Sequence, residues 1–111
     1  MPLWRLRVAG ESMVPTLLPG DRLLVWRGLG PLRPPIRVGD LVAVVDPRTP
    51  GRLMVKRVSE QHGAEFFVRG DNEAASTDSR HFGPVSAGAI SGRVIYRYLP
   101  EDRRGRLPTR R

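Results

Sequence analysis

Apolar and polar residues alternate or cluster at strand length along most of this chain. From Leu3 to Val8, the side chains of Trp4, Leu6 and Val8 share one face, and Leu3, Arg5 and Arg7 share the other. That is the two-residue period of a half-buried strand. Leu23–Trp26 follows the turn Pro19-Gly20-Asp21, while Leu41–Val45 follows Gly39-Asp40 and is stopped by Asp46-Pro47. Leu53–Val58, Glu65–Val68 and Ile90–Leu99 complete the predicted strands. Ser12 to Leu18 has room for one helical turn, which Pro15 and Pro19 prevent from growing. Gly28 to Pro35 reads as an extended, Pro-rich loop. Short strands at close spacing predict an all-β, barrel-like fold. Residues 1–100 form a single domain in this reading, and 101–111 a basic, disordered tail.

Composition narrows the chemistry. With 12 glycines and 11 prolines in 111 residues, the chain is ill-suited to a helical bundle. It has no cysteine, which excludes a thiol nucleophile, a disulfide framework and a thiolate metal site. His62 and His81 are its only histidines, so a multi-histidine metal site is not expected either, and no cofactor is implied. The formal charge is +8, part of it in Arg103-Arg104-Gly105-Arg106 and Arg110-Arg111. The other cations are scattered among apolar positions without aromatic interleaving, which argues against nucleic acid. The arginine tail is expected to make at most weak peripheral contact with an anionic membrane, screened within about 8 Å at physiological salt. The longest apolar run, Leu41–Val45, falls far short of the roughly 20 residues that cross a bilayer. The first residues also lack the apolar stretch of a secretory signal. The expectation is a soluble, cytoplasmic chain.

Four clusters carry candidate chemistry. In Gly10-Glu11-Ser12-Met13-Val14-Pro15-Thr16-Leu17, a serine on a sharp turn after a strand exposes its hydroxyl. The N–H groups of such a turn can face a developing oxyanion. A serine between glycine and proline can equally serve only to shape the turn. In Leu53-Met54-Val55-Lys56-Arg57-Val58, strand alternation puts Lys56 on one face with Met54 and Val58. Arg57 points the other way, free to reach solvent. A lysine desolvated on an apolar face can be neutral and act as a base, or it can lie over that face and extend its ammonium into water. The third cluster runs Gly70-Asp71-Asn72, Ser76, Asp78-Ser79-Arg80, Phe82-Gly83, where Asp78 and Arg80 suit a charged clamp on a loop. Gly20-Asp21 and Gly39-Asp40, each leading into an apolar strand, make the fourth. Singly, the last two are ordinary turns.

Together, in this order, the clusters resemble the boxes of the type I signal peptidase family, the Ser/Lys-dyad peptidases. The resemblance runs from Gly10 to about Arg93. It implies a small all-β barrel core of the kind shared with SOS-response repressors, with at most a short helical turn at the nucleophile. It also implies a serine endopeptidase that removes an N-terminal leader. Ser12 would be the nucleophile, Lys56 its base, Ser76 the group that orients the amine, and Asp78 and Arg80 a supporting ion pair. The turn of Gly10, Ser12 and Met13 would hold the oxyanion. Some members carry a serine hydroxyl where this chain has Gly10, so the second donor there is left to backbone or water. Only eleven residues precede Ser12, and Lys56 and Gly70 lie fourteen positions apart, leaving a bare core. In that respect the chain is similar to the maturation proteases of nickel-type superoxide dismutase, which would make that dismutase's leader-bearing precursor the partner. The rival readings are a general signal peptidase acting on secretory signals, a self-cleaving SOS-type repressor domain, and a catalytically silent binding domain. Intact Ser12 and Lys56 argue against the last.

Overall fold

The computed structural model describes residues 2–28 and 35–107. Eight strands form one antiparallel sheet: β1 (Leu3–Arg7), β2 (Arg22–Trp26), β3 (Leu41–Val45), β4 (Leu53–His62), β5 (Glu65–Arg69), β6 (Val85–Ser86), β7 (Ile90–Leu99) and β8 (Gly105–Arg106). Their spatial order is β1-β2-β7-β3-β4-β5-β6, with β8 also beside β7. The two longest strands make the sheet curl into a half-barrel. β7 pairs with β3 through Ile90–Arg93 and with β2 through Arg93–Leu99. β4 likewise pairs with β3 up to Arg57 and with β5 from Arg57 onward. Register shifts in the β2–β7, β3–β7 and β4–β5 pairings add local bend and twist.

A core lies on each side of β3. Leu41 and Ala43 join Val8, Met13, Leu17, Leu23, Val25 and Val94 on one side. Val42 and Val44 join Met54, Val58, Phe66, Val68, Val85 and Ile90 on the other. This is why Leu41–Val45 is a continuous apolar run, whereas β1 alternates with only Trp4 and Leu6 turned inward. Each fully buried valine or leucine contributes about 1.5–3 kcal/mol, so the lining of β3 is the main anchor of the sheet.

Every predicted strand is present. β4 runs four residues further than expected, because Ser59–His62 continue into a hairpin with β5. The short strands β6 and β8 were not legible. Ser12–Leu18 holds no more than the one turn expected, closed by Leu17 N–H to Met13 O at 2.9 Å. The α-helical turn among the described residues is α1 (Ser79–Phe82), closed by a reciprocal cap between Asp78 and His81. The expected tail also needs correction. Residues 101–107 are docked: Gly105 and Arg106 pair with β7, and Leu107 packs on the first core. Arg103 sets its guanidinium on the buried carboxylate of Asp21 at 2.6 and 3.0 Å. A run of arginines reads as solvated until a buried partner is found for one of them. Positions 108–111, and 29–34 of the Pro-rich loop, lie outside the described residues. Among the described residues, no helix is long and apolar enough to cross a membrane.

Candidate active site

Ser12 sits on the loop that follows β1. The base of this loop is closed by Val8 N–H to Asp21 O and Gly20 N–H to Val8 O, both 2.8 Å. Gly10 turns the chain with φ near +78°, a conformation that a side chain would strain. Met13 and Leu17 then plunge into the first core, which leaves Ser12 half-buried at the mouth of a cleft. The loop after β5 holds it there. Asn72 N–H donates to Ser12 O at 2.8 Å, Asn72 Nδ2 donates to Glu11 O at 3.0 Å, and Asp71 N–H meets Met13 Sδ at 3.4 Å. Gly70 permits this approach, since a Cβ there would lie 2.5 Å from Ser12 O.

Lys56 emerges from the middle of β4 and is only 3% exposed, between buried Met54 and Val58. Its Nζ donates to Ser76 Oγ at 2.9 Å, and Ser76 Oγ donates its single proton to Asp78 Oδ2 at 2.8 Å. Asp78 is wholly buried and also accepts from Gly70 N–H (2.9 Å), Arg80 N–H (3.1 Å) and the Arg80 guanidinium (2.9 and 3.2 Å). The same guanidinium reaches Glu73 O and Ser76 O, so the whole 70–80 loop is wound around one carboxylate. Burial depresses the Lys56 ammonium below the ordinary lysine range. The Asp78 charge opposes this, and Arg52, Arg48 and Arg80 push the same way as burial. Burial by itself would raise Asp78, but hydrogen bonds from Arg80, Gly70 and Ser76 outweigh it and hold the carboxyl well below its usual range.

Ser12 and Lys56 open onto the same cleft, of about 310 Å³, with Gly10, Met54, Arg48 and Arg52 also on its walls. Here the Lys56 amine bonds to Ser76 rather than to Ser12. One wall is the Leu53–Lys56 stretch of β4, which has β3 on one edge and meets β5 only from Arg57. Among the described residues no strand pairs with its other edge, where an extended peptide could add. A half-exposed hydroxyl, a buried amine and an unpaired strand edge in one cleft are the parts that peptide-bond attack by an activated hydroxyl requires.

The residues to which the resemblance gives roles lie here: Gly10, Ser12 and Met13 on the loop, Lys56 on β4, Ser76 and Asp78 on the loop beneath, and Arg80 in α1, whereas Asp21 of the fourth cluster pairs elsewhere, with Arg103. Arg57 is a correction. It does not reach freely into solvent but grips Asp71 bidentately, at 2.9 and 2.8 Å, with its side chain 11% exposed. Asp71 in turn accepts from Thr16 Oγ1 at 2.5 Å. Thr16–Asp71–Arg57 therefore ties the serine loop to the lysine strand from the face opposite Lys56. Gly70-Asp71-Asn72 read as a plain turn, and nothing local marked Asp71 as the link. Arg48 and Arg52, on the β3–β4 turn, were also missed.

Comparison with known proteins gives the family. The model of the signal peptidase, peptidase S26 family matches residues 3–64 and 60–99. The mitochondrial ATP-independent inner membrane protease subunit 1a of Arabidopsis thaliana is 36% identical, over 90% of this chain and 73% of its own. The mitochondrial inner membrane protease subunit 2 of Schizosaccharomyces pombe is 32% identical over 90% of this chain and 67% of its own. The subunit 2 of Mus musculus is 30% identical over 91% and 70%. With the family model spanning nearly every described residue, the chain belongs to the signal peptidase, peptidase S26 family.

Proposed function

We propose that this chain is a serine endopeptidase that cuts an N-terminal leader from a precursor protein, with Ser12 as nucleophile and Lys56 as general base. The observation that carries the reading is a buried lysine, depressed by its burial, in the same cleft as a half-exposed serine. The precursor lies extended along the open Leu53–Lys56 edge. Neutral Nζ takes the Ser12 Oγ proton as Oγ bonds to the scissile carbonyl carbon. The resulting oxyanion faces the Ser12 N–H and the backbone of the Gly10–Met13 turn. As the tetrahedral species collapses, the C–N bond breaks and the Lys56 ammonium returns its proton to the leaving amine. Water, deprotonated by the same amine, then hydrolyses the acyl-enzyme and frees Ser12. Ser76 acts through Lys56 by aiming its amine, and Asp78 with Arg80 fixes Ser76.

The family supports a leader-cleaving peptidase. The short connection from Lys56 to Gly70, a bare hairpin of β4 and β5, supports the precursor of nickel-type superoxide dismutase as the first substrate to try. The test incubates the purified chain with that precursor and with a secretory precursor, each with and without phospholipid vesicles. Cleavage of the leader, lost in Ser12→Ala, is expected. Cutting of the secretory precursor alone, and only with vesicles, transfers the activity to secretory signals at a bilayer. No cleavage of either by a folded chain overturns the peptidase reading.

A further inference from the structure

The cleft is strongly biased in charge. Among the described side chains lining it, Arg7, Arg48, Arg52 and Lys56 are basic and Glu11 alone is acidic. The two arginines of the β3–β4 turn differ in how they are held. Arg48 is clamped on Asp46 by hydrogen bonds. Its Nε lies 3.0 Å from Oδ1 and its Nη2 2.9 Å from Oδ2, its own N–H donates to Oδ1 at 2.9 Å, and its guanidinium covers the Phe82 ring. The buried Asp46 carboxylate thus takes three hydrogen bonds from Arg48 and a longer ion pair from Arg52. Arg52 approaches it only to 3.6 Å, beyond hydrogen-bond range, and its side chain remains 61% exposed. Arg52 also has the strand parity of Met54 and Lys56, four residues up-chain of the lysine. At about 3.3 Å per residue that places it roughly 13 Å along the open edge from Lys56.

We infer that Arg52 is a specificity-determining residue that selects peptides carrying a carboxylate side chain about four residues from the bond presented to Ser12. This rests on the peptidase reading for the meaning of that bond, but the charge preference can be measured without cleavage. A guanidinium with unused donors pairs best with the planar, two-oxygen shape of a carboxylate. A strand laid on the Leu53–Lys56 edge would bring every second side chain to the Arg52 face. A lysine or arginine at that position would meet Arg52, with Arg7 and Arg48 nearby, and be repelled.

The experiment uses Ser12→Ala and a set of labelled leader peptides that are identical except for Glu, Gln or Lys at one position, scanned over five residues on either side of the centre. Fluorescence anisotropy is expected to find a position where Glu binds about fivefold tighter than Gln, the scale of a partly exposed charge pair, with Lys weaker than both. Adding Arg52→Gln should bring the Glu-to-Gln ratio to about one, and Arg52→Lys should recover part of it. The exposed position makes a folding defect unexpected, and a thermal melt checks this. A ratio that survives Arg52→Gln, a scan with no discriminating position, or no binding at all overturns the inference. Cleavage is then followed with Ser12 intact. Cleavage without charge preference leaves the peptidase reading standing and removes this one. Charge-selective binding without cleavage does the reverse.

Discussion

Asp78→Asn keeps the shape of the side chain and removes its charge, and its two consequences have opposite signs. Asp78 accepts from Gly70 N–H, Ser76 Oγ and Arg80 from a fully buried position. The asparagine oxygen can keep one set of these bonds, but its NH₂ must then face Gly70 N–H or Arg80, donor against donor. An unsatisfied buried N–H costs about 1–3 kcal/mol. Arg80 is a third exposed, so the lost charge pairing adds only about 0.5–1 kcal/mol. Together these amount to about 2–4 kcal/mol, or a melting temperature lower by about 10–20 °C in a domain of this size. Because the folded state depresses the Asp78 carboxyl, its contribution is complete above the ordinary aspartate pKa of 3.8 and is lost as pH falls below it. The melting gap between wild type and Asp78→Asn should therefore be widest above pH 5 and narrow toward pH 3. Catalysis should move the other way. The Asp78 charge holds the Lys56 pKa up, so its removal lowers that pKa further and carries the acid limb of kcat/KM to lower pH. Melting curves across pH and a pH–rate profile on one leader peptide check both effects. An unchanged melting temperature, or an acid limb that moves upward, would refute the electrostatic account of this loop.

Ser12→Ala and Lys56→Ala should each abolish cleavage in a folded protein, and the double variant should be no worse than either, as expected of groups that act as a unit; single-turnover assays with melts decide this. Wild-type kcat/KM should rise with pH along a limb below the ordinary lysine value of 10.5, since burial lowers Lys56 and the proposed base is its neutral form; a rate that falls over that limb would refute it. Ser76→Ala should lower turnover proportionally more than it lowers the melting temperature and should shift the acid limb, whereas a purely structural role would leave the limb in place. Gly70→Ala should cut kcat at least tenfold, because its Cβ would collide first with Ser76 Oγ and would also lie 2.5 Å from Ser12 O; circular dichroism and kinetics together check it.

The sequence made visible whatever depends on period and local order. The unbroken run Leu41–Val45 announced a strand, and β3 is one, buried on both faces. Parity along Leu53–Val58 put Lys56 with Met54 and Val58, and all three are buried. What stayed hidden depends on pairs far apart in the chain. Thr16 and Asp71 are separated by 55 positions and Arg103 and Asp21 by 82, so neither the brace behind the site nor the docking of residues 101–107 has a local signature. Arg57 was misread for the same reason. An arginine on the outer face of a strand looks solvated until the curl of the sheet brings a carboxylate over it. Arg48 and Arg52 were hidden by their setting in a Pro- and Gly-rich turn, where charged residues usually face water.

The position of Ser76 shows how one loop can hold a full negative charge beside an amine that, in the proposed mechanism, must lose its positive one. A direct contact between Lys56 and Asp78 would strongly favour the ammonium, because Coulomb attraction at close range in a low-dielectric site can match the desolvation penalty. Ser76 Oγ stands between them, 2.9 Å from Nζ and 2.8 Å from the carboxylate. Its one proton is committed to Asp78, so it presents a lone pair to the amine and orients it with a dipole in place of a charge. The carboxylate is neutralised on its other oxygen by Arg80, and the Gly70 N–H shares with Ser76 the near one. What reaches Lys56 is a weakened field, and burial prevails. The bonds that stabilise the loop are thus the ones that leave Lys56 able to shed its proton.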